Sequence, residues 1–246
     1  ATQASSMSFS VRDEVAGLEY NGTSLNALFA QRRNLLRPSF LGMVRDILRF
    51  NREAPRLLDE PGGELPLGDF IVRGRYGRAF VDHYVVPMGA AIWSTDPARM
   101  MGFPARFFVR FLHNHGMLTV DDRPTWRTIS GGSARYVEKL TAPFRDRIHL
   151  ATQVEQVRRL PGGVLVKPRG QEAVRFDAVF LACHSDQALA LLNNPSPAER
   201  EVLAAIPYQA NEAVLHTDTT LLPKKRLAWA AWNYLMPDGP GGRVCL

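Results

Sequence analysis

The fold of this chain is decided between residues 147 and 192, which read RIHLATQVEQVRRLPGGVLVKPRGQEAVRFDAVFLACHSDQALALL. Short apolar runs at Ile148–Leu150 and Val154–Leu160 predict two strands. Pro161-Gly162-Gly163 is a turn signal, and Val164–Val166 then predicts the returning strand of a hairpin. The stretch therefore begins with an antiparallel element.

A buried strand that leads directly into a helix is predicted next. Phe176–Cys183 (FDAVFLAC) is apolar on both strand faces, which is typical of a central strand covered on both sides. Ser185–Leu192 follows almost without a loop and predicts a helix whose first N–H groups are free. Open α/β sheets bind ligands, especially phosphate-bearing ones, where a strand ends at a helix N-terminus. We therefore expect a ligand site at this junction.

Length and composition are those of an ordinary globular chain. The 246 residues suffice for one large domain or two small ones, and 46% are hydrophobic and 22% charged. No apolar run approaches the roughly 18 residues that span a bilayer, and the first ten residues do not form a signal peptide. The missing initiator methionine and the apolar last residues predict a chain cut from a longer one. We expect a cytoplasmic location, with peripheral attachment to a membrane as the alternative.

Charge and cysteine usage limit the classes of partner. The formal net charge is +6, and the arginines are spread through predicted helices rather than concentrated in one block. This favours a solvated basic face over nucleic-acid binding, and no nucleic-acid-binding module is visible. An anionic small molecule or acidic lipid is the weaker alternative. Cys183 and Cys245 lie far apart, which predicts a reducing compartment and no disulfide.

The first half of the chain predicts helices beside one small sheet. Alternating apolar residues and Asn21-Gly22 indicate antiparallel strands, and helical spacing follows, broken by glycine and proline. We find no nucleophile elbow, P-loop or metal-ligand spacing in this half, and we predict no metal site. The predicted elements are strands within Met7–Tyr20, helices at Ser24–Gln31, 38–59 and Leu67–Ile71, a break at Pro61-Gly62-Gly63, a helix within 76–94 ended or kinked at Pro87, and a helix over Pro97–Leu112 interrupted at Pro104.

The end of the chain predicts a return to the first sheet. Ser196-Pro197-Ala198-Glu199 is a capping box that starts a helix to Ala205. Glu212–Thr217 and Leu227–Leu235 predict strands that join the sheet begun at Met7–Val11. Paired glycines at Gly131-Gly132 suit either a tight turn or a close approach of the backbone to a ligand.

The order of these segments resembles the flavin-containing amine oxidase superfamily, which includes protoporphyrinogen oxidases and phytoene desaturases. The matching residues are WRTISGGSARYVEKL, then LATQVEQV, then FDAVFLACHSDQALALL. Three further segments resemble a bacterial branch of predicted NAD/FAD-binding proteins. They are SMSFSVRDEVAGLEYNG, YVVPMGAAIWS and AIPYQANEAVLH. The individual motifs are loose, so the specificity of the resemblance comes from their order and spacing.

The resemblance implies a cofactor and three residues that contact it. The family's L-x-T-x-V pattern is matched by Leu150, Thr152 and Val154, and in the family this valine contacts the adenine end of FAD through its backbone. The residues that end the strand before the helix pass close to the flavin nucleotide, which places Ala182 and Cys183 there. His184 stands where relatives often have proline, so either a contact with the cofactor or a structural role at the helix start stays open. The resemblance identifies no catalytic residue.

One family motif is absent from the sequence. The superfamily opens with strand–GxGxxG–helix, which holds the pyrophosphate, and GxGxxG occurs nowhere in these residues. We therefore expect an internal fragment of such an enzyme that binds FAD weakly or not at all on its own. The resemblance implies an α+β or α/β fold: a mainly helical substrate domain with an antiparallel sheet (1–125 and 193–246) and a partial, Rossmann-like FAD-binding segment (126–192).

Three functions remain open at this point. The first is an FAD-dependent oxidoreductase that takes a hydride from a C–N or C–C bond of an amine or an apolar, lipid-like small molecule. The second is a non-catalytic truncated remnant, and the third is a binding module for an anionic or apolar ligand, suggested by the basic charge and by Pro87–Trp93. Oligomeric state cannot be predicted. Residues that could line a substrate pocket, although core packing is favoured for each, are His83, Tyr84, Met88, Trp93, Trp229, Trp232 and Tyr234.

Overall fold

The computed structural model describes residues 1–59, 65–93, 95–119 and 124–239, and the backbone of 243–245. The predicted α+β class is confirmed. The chain forms two compact units, which are Ala1–Ser133 with Leu215–Leu246 (unit 1) and Ala134–Val214 (unit 2). The division of the chain into substrate and FAD-binding domains stays a prediction. The break expected at Pro61-Gly62-Gly63 lies outside the described residues.

The described strands and helices follow in chain order. The strands are β1 (Thr2–Ala4), β2 (Phe9–Asp13), β3 (Leu18–Asn21), β4 (Arg127–Ile129), β5 (Val154–Leu160), β6 (Gly163–Pro168), β7 (Val174–Phe176), β8 (Trp232–Met236) and β9 (Arg243–Cys245). The α-helices are α1 (Leu25–Leu28), α2 (Pro38–Glu53), α3 (Arg56–Asp59), α4 (Leu67–Arg73), α5 (Arg78–Phe80), α6 (Val86–Trp93), α7 (Ala105–Asn114), α8 (Ala134–Thr141), α9 (Ser185–Leu191) and α10 (Pro197–Ala204). Short 3₁₀ helices cover Arg32–Leu36, Pro97–Gly102, Ala142–Arg147, Thr219–Leu221 and Arg226–Ala228, and Val81–Val85 is a π-helical turn.

Unit 1 contains a four-stranded sheet in the order β3-β2-β8-β9. β2 pairs antiparallel with β3 and parallel with β8, so that Phe9 lies opposite Trp232. The prediction that the end of the chain rejoins the first sheet is therefore confirmed for β8. The strand predicted at Glu212–Thr217 is wrong, because this segment pairs with no described strand and its side chains are exposed. β1 and β4 form a separate antiparallel pair.

The two faces of this sheet have different chemistry. On one face Val11, Tyr20 and Tyr234 are buried in the apolar core that the helices of unit 1 complete. On the other face Glu19 accepts hydrogen bonds from the N–H groups of Lys224 and Lys225, both at 2.9 Å. The buried carboxylate of Glu19 on this second face thus has the hydrogen-bond partners that a buried polar group requires.

Helix α2 forms as proline placement and apolar spacing predict. Pro38 occupies its first turn, where a missing N–H costs nothing. Phe40, Met43 and Phe50 are buried along one side, and the Phe50 ring packs on Phe80 with centroids 5.5 Å apart. The helix ends at Glu53 rather than at residue 59, and α3 follows as a separate turn.

Pro87 distorts the next helix, as predicted, through a π-helical turn. The N–H of Val86 bonds the carbonyl of Val81, five residues earlier. Because proline has no N–H, the carbonyl of His83 loses the usual donor at position 87. The Tyr20 hydroxyl donates a 2.6 Å hydrogen bond to this carbonyl instead. Residue 104 interrupts the next predicted helix as expected, since a 3₁₀ turn ends before it and α7 begins after it.

Unit 2 contains an antiparallel sheet in the order β5-β6-β7. The predicted hairpin is confirmed, with Gly162 at φ +68° in its turn. The capping box is confirmed as well, because Ser196 and Glu199 each accept a hydrogen bond from the other's backbone N–H at the start of α10. The short strand predicted at Ile148–Leu150 is absent from this described segment.

The buried strand predicted at Phe176–Cys183 is wrong. β7 ends at Phe176, and the next seven residues form no strand. Phe180 is 95% exposed and Val179 38%. A central strand needs a hydrogen-bonded neighbour on each side, and no described strand pairs with these residues. Their apolar pattern alone therefore does not produce a strand.

Candidate functional site

Val154 lies at the start of edge strand β5, opposite Pro168. The N–H of Arg169 bonds the carbonyl of Gln153 at 2.8 Å, which makes Val154 and Pro168 a non-hydrogen-bonded pair of the antiparallel ladder. In such a pair the N–H and C=O of each residue point away from the partner strand. The backbone groups of Val154 therefore face the outer edge of β5.

A β-bulge follows immediately and sets this orientation. The register shifts between Val154 and Gln156, so that Glu155 is an extra residue on β5. Bulges at sheet edges redirect the backbone and end regular pairing. The L-x-T-x-V segment thus presents a peptide group that can bind a ligand by backbone hydrogen bonds.

Ala182 and Cys183 immediately precede the residues that open helix α9. Both are exposed, and Cys183 is a free thiol. α9 packs beside β5, because Leu192 bridges Val157 and the N–H of Asn193 bonds the Val157 carbonyl at 3.0 Å. Unit 2 therefore holds Val154 and the Ala182–Cys183 segment on two elements that pack together. The structure shows no direct contact between them.

The start of α9 is occupied by residues of this chain. The His184 ring stacks on Tyr208, with centroids 4.4 Å apart and 10° between the planes. The Tyr208 hydroxyl accepts a 2.8 Å hydrogen bond from the Ser185 N–H. His184 is the N-cap residue, but its side chain makes no capping hydrogen bond. Sequence reasoning missed Tyr208, because no local signal relates residues 185 and 208.

Unit 2 buries few apolar side chains. All of its residues are described, and the buried apolar ones are Val157, Val164 and Ala188. Many of its large apolar side chains are exposed instead. The exposed large apolar side chains of unit 2 are Tyr136, Val137, Leu140, Phe144, Ile148, Leu150, Val174, Phe176, Val179, Phe180, Val202, Ile206, Tyr208 and Val214.

The aromatic residues proposed for a substrate pocket pack mainly in the core of unit 1. Tyr84 and Met88 are buried, and the Tyr84 ring stacks on Phe80 with centroids 5.4 Å apart. Trp93 packs against four phenylalanines, of which Phe103, Phe108 and Phe111 belong to the same core. The Trp229 indole donates a 2.7 Å hydrogen bond to the Pro223 carbonyl. Trp232 is half-buried and Tyr234 buried on the sheet.

His83 lies beside a carboxylate under the sheet. Its Nδ1 is 3.2 Å from Asp13 Oδ2, in a geometry too bent for a hydrogen bond, so the two groups interact by charge when His83 is protonated. The other Asp13 oxygen accepts the Ala16 N–H at 2.8 Å. The adjoining cavity of about 20 Å³ has room for one water molecule and none for a substrate.

Burial raises the pKa of Tyr20, which bonds the His83 carbonyl. Desolvation, followed by the nearby Tyr84 hydroxyl, raises the pKa of Tyr20 well above its ordinary value of 10.0. Tyr20 therefore stays neutral and keeps its proton for the His83 carbonyl. Within the described ranges, no three His, Cys, Asp or Glu side chains come together in a way that could hold a metal ion. No helix there is long and apolar enough to cross a membrane.

Comparison with known proteins identifies the family. The family model for flavin containing amine oxidoreductases matches residues 10–239. The chain belongs to this family. No curated protein sequence matches it.

Solved structures of two kinds of amine oxidase share the fold. A putrescine oxidase variant with redesigned cofactor binding has 16% sequence identity and a TM-score of 0.51, over 83% of this chain and 47% of that one. The cyclohexylamine oxidase of Brevibacterium oxydans has 15% identity and a TM-score of 0.55, over 83% and 46%. The chain spans about half the length of these proteins.

Val154 can be compared with what a flavin cofactor would need. The family implies a flavin cofactor, and Val154 presents an outward-facing peptide group in the expected pattern. The pyrophosphate needs the N–H groups of a GxGxxG turn, which these 246 residues do not contain. The outward-facing backbone groups of Val154, which the β5–β6 ladder does not use, are therefore compatible with FAD.

Proposed function

We propose that this chain supplies the substrate-side unit and one wall of the FAD site of a flavin-dependent oxidoreductase. When bound, the flavin accepts a hydride from a C–N or C–C bond of a small amine or apolar molecule. The proposal rests chiefly on the outward-facing backbone of Val154 within a chain of this family. Ala182 and Cys183 are proposed to line the same wall beside the flavin nucleotide.

In this proposal the chain binds and orients the cofactor rather than reacting with the substrate. Val154 offers one donor and one acceptor, which suits the edge of an adenine ring. The exposed apolar side chains of unit 2 would be covered by the segment that carries the pyrophosphate-binding turn, because a three-residue apolar core is small for 81 residues. Such a segment would also exclude water from the site. We propose no catalytic acid or base, since the described residues offer no nucleophile–base pair in a pocket.

A fusion protein tests the proposal. A strand–GxGxxG–helix segment from an amine oxidase is placed ahead of Ala1, and FAD retention is measured by visible absorbance after gel filtration. Val154→Pro removes the N–H that faces the ligand without breaking a ladder bond, because Val154 is in a non-hydrogen-bonded pair. We expect Val154→Ala to keep FAD and Val154→Pro to lose about tenfold in affinity, the value of one hydrogen bond of about 1.4 kcal/mol.

The matched alanine variant separates the backbone from the side chain. Equal retention of FAD by the proline and alanine variants would contradict the role of the Val154 backbone. A fold check by circular dichroism accompanies both variants. The truncated-remnant alternative predicts no FAD binding in any of these proteins.

A further inference from the structure

The outer face of helix α2 carries leucines and arginines in one stripe. Leu41, Arg45, Leu48 and Arg52 are spaced by four, three and four residues, which places them on one side of the helix. Leu41 is 43% and Leu48 50% exposed. The side chains of Arg45 and Arg52 are 78% and 72% exposed. The opposite side of the helix is buried in the core, so this stripe is not needed for packing within unit 1.

Val44 and Arg49 border this stripe on α2. Arg49 is held by the protein: it donates a 2.6 Å hydrogen bond to the Gly74 carbonyl and lies 4.0 Å above the Tyr76 ring. The two exposed arginines have weaker partners. Arg45 is 3.6 Å from the buried Asp46, and Arg52 pairs with Glu53 in solvent, where an ion pair contributes little.

The surrounding sequence is strongly basic. Residues 32–56 contain seven arginines against two acidic residues, Asp46 and Glu53. The 3₁₀ turn that precedes α2 also exposes leucines, Leu36 by 88% and Leu35 by 49%. Exposed leucines and an excess of arginines over acidic residues therefore occur together within residues 32–56.

We propose that this leucine–arginine face attaches the protein to a membrane surface that contains anionic phospholipid. Amphipathic helices bind such surfaces by placing apolar side chains at the acyl boundary and basic side chains among the phosphates. A protein partner suits the face less well. Protein interfaces are enriched in aromatic side chains, whereas the stripe of Leu41, Arg45, Leu48 and Arg52 contains none. The long arginine side chains can lie over the leucines and extend to the headgroups.

Vesicle flotation tests this proposal with the chain itself. One set of vesicles is phosphatidylcholine alone, and the other contains phosphatidylglycerol in addition. We expect binding to the anionic vesicles only, weakened by added salt. The double variant R45Q/R52Q should lose roughly 25-fold in affinity, about fivefold per arginine. L41S/L48S should lose about tenfold, because half-exposed leucines bury only part of their surface.

Matched variants on unit 2 control for net charge and for general hydrophobicity. R145Q/R200Q removes the same two charges from exposed positions, and V202S removes an apolar side chain that is 65% exposed. We expect each control to change vesicle affinity less than about twofold, within the variation of surface substitutions. Circular dichroism verifies that the total helix content is unchanged in all variants.

Several outcomes would overturn the proposal. These are no binding to anionic vesicles, equal binding to phosphatidylcholine alone, or an equal loss in the control variants. A competition experiment with soluble glycerol phosphate completes the test. If it displaced the protein from vesicles at low millimolar concentration, the face would be a site for free anions rather than a membrane-binding surface.

Discussion

Replacing Tyr20 with phenylalanine should destabilise unit 1 by removing the donor that Pro87 makes necessary. The Tyr20 side chain is fully buried, and its hydroxyl donates a 2.6 Å hydrogen bond to the His83 carbonyl. Leaving a buried carbonyl without its partner costs about 1–3 kcal/mol. We expect a loss of about 2 kcal/mol in the free energy of unfolding, or roughly 4–8 °C in Tm for a chain of this size.

Tryptophan fluorescence in urea measures this change selectively. All four tryptophans, Trp93, Trp126, Trp229 and Trp232, belong to unit 1. Their signal therefore follows the unfolding of the unit that contains Tyr20. The variant should lower the urea midpoint and leave the slope unchanged, because the surface exposed on unfolding stays the same.

Two further variants make the reasoning refutable. Tyr76→Phe deletes a hydroxyl that makes no hydrogen bond to a described residue, so it should cost far less. Pro87→Ala restores a backbone N–H near the His83 carbonyl, so Tyr20→Phe should cost less in that background. An equal cost for the Tyr20 and Tyr76 variants would refute the account. So would a Tyr20 cost that is the same with proline and with alanine at residue 87.

Three more predictions follow from burial and packing. Desolvation is the main cause that raises the pKa of Tyr20, so the folded state keeps the Tyr20 proton at a pH where the unfolded state loses it. The free energy of unfolding is therefore unaffected by Tyr20 below pH 10 and decreases as pH rises above 10. Tyr20→Phe should reduce this decrease, as measured by urea titrations at high pH. Hydrogen bonds from the Ser196 backbone N–H and hydroxyl are the main cause that lowers the pKa of Glu199. The ionised carboxylate therefore stabilises the start of α10 above pH 4.5, the ordinary pKa, and this stabilisation is lost as pH falls through the lowered pKa. Glu199→Gln should speed amide hydrogen exchange in α10 at neutral pH. Gly163→Ala should destabilise the β5–β6 hairpin by about 1–3 kcal/mol, measured by hydrogen exchange, because the added Cβ would lie 2.8 Å from the Phe176 carbonyl oxygen.

Controls separate these effects from general disturbance. Gly22→Ala adds a Cβ that meets no atom within 4 Å and should leave exchange in the hairpin unchanged. Glu201→Gln, on the same helix as Glu199 and outside the capping box, should leave exchange in α10 unchanged. Unfolding that is independent of pH above 10 would contradict the assignment for Tyr20.

Local signals in the sequence predicted the elements whose causes are local. The capping box at Ser196, the glycine turn at Gly162 and the interruption at Pro104 each depend on residues within one turn. The return of β8 to β2 was also predicted, because both segments carry the apolar pattern of strands. The positions of these elements follow from backbone chemistry that a short window contains.

Apart from the pairing of β8 with β2, long-range contacts could not be predicted from the sequence. Phe176–Cys183 and Glu212–Thr217 have apolar strand patterns, yet a strand forms only where a neighbour accepts its hydrogen bonds. The stacking of His184 on Tyr208 and the bond from Tyr20 to His83 join residues far apart in the chain. No periodicity or motif encodes such contacts. The candidate cofactor residues came from the family resemblance, and the structure adds the outward orientation of the Val154 backbone.

The central claim is that these residues form one wall of an FAD site whose phosphate-binding turn they do not contain. FAD content of this chain, purified alone and then incubated with excess FAD, measures it most directly. After gel filtration, we expect the visible absorbance of the protein to correspond to far less than one FAD per chain. One FAD retained per chain would contradict the claim, because the pyrophosphate would then be held by residues to which we assign no such role.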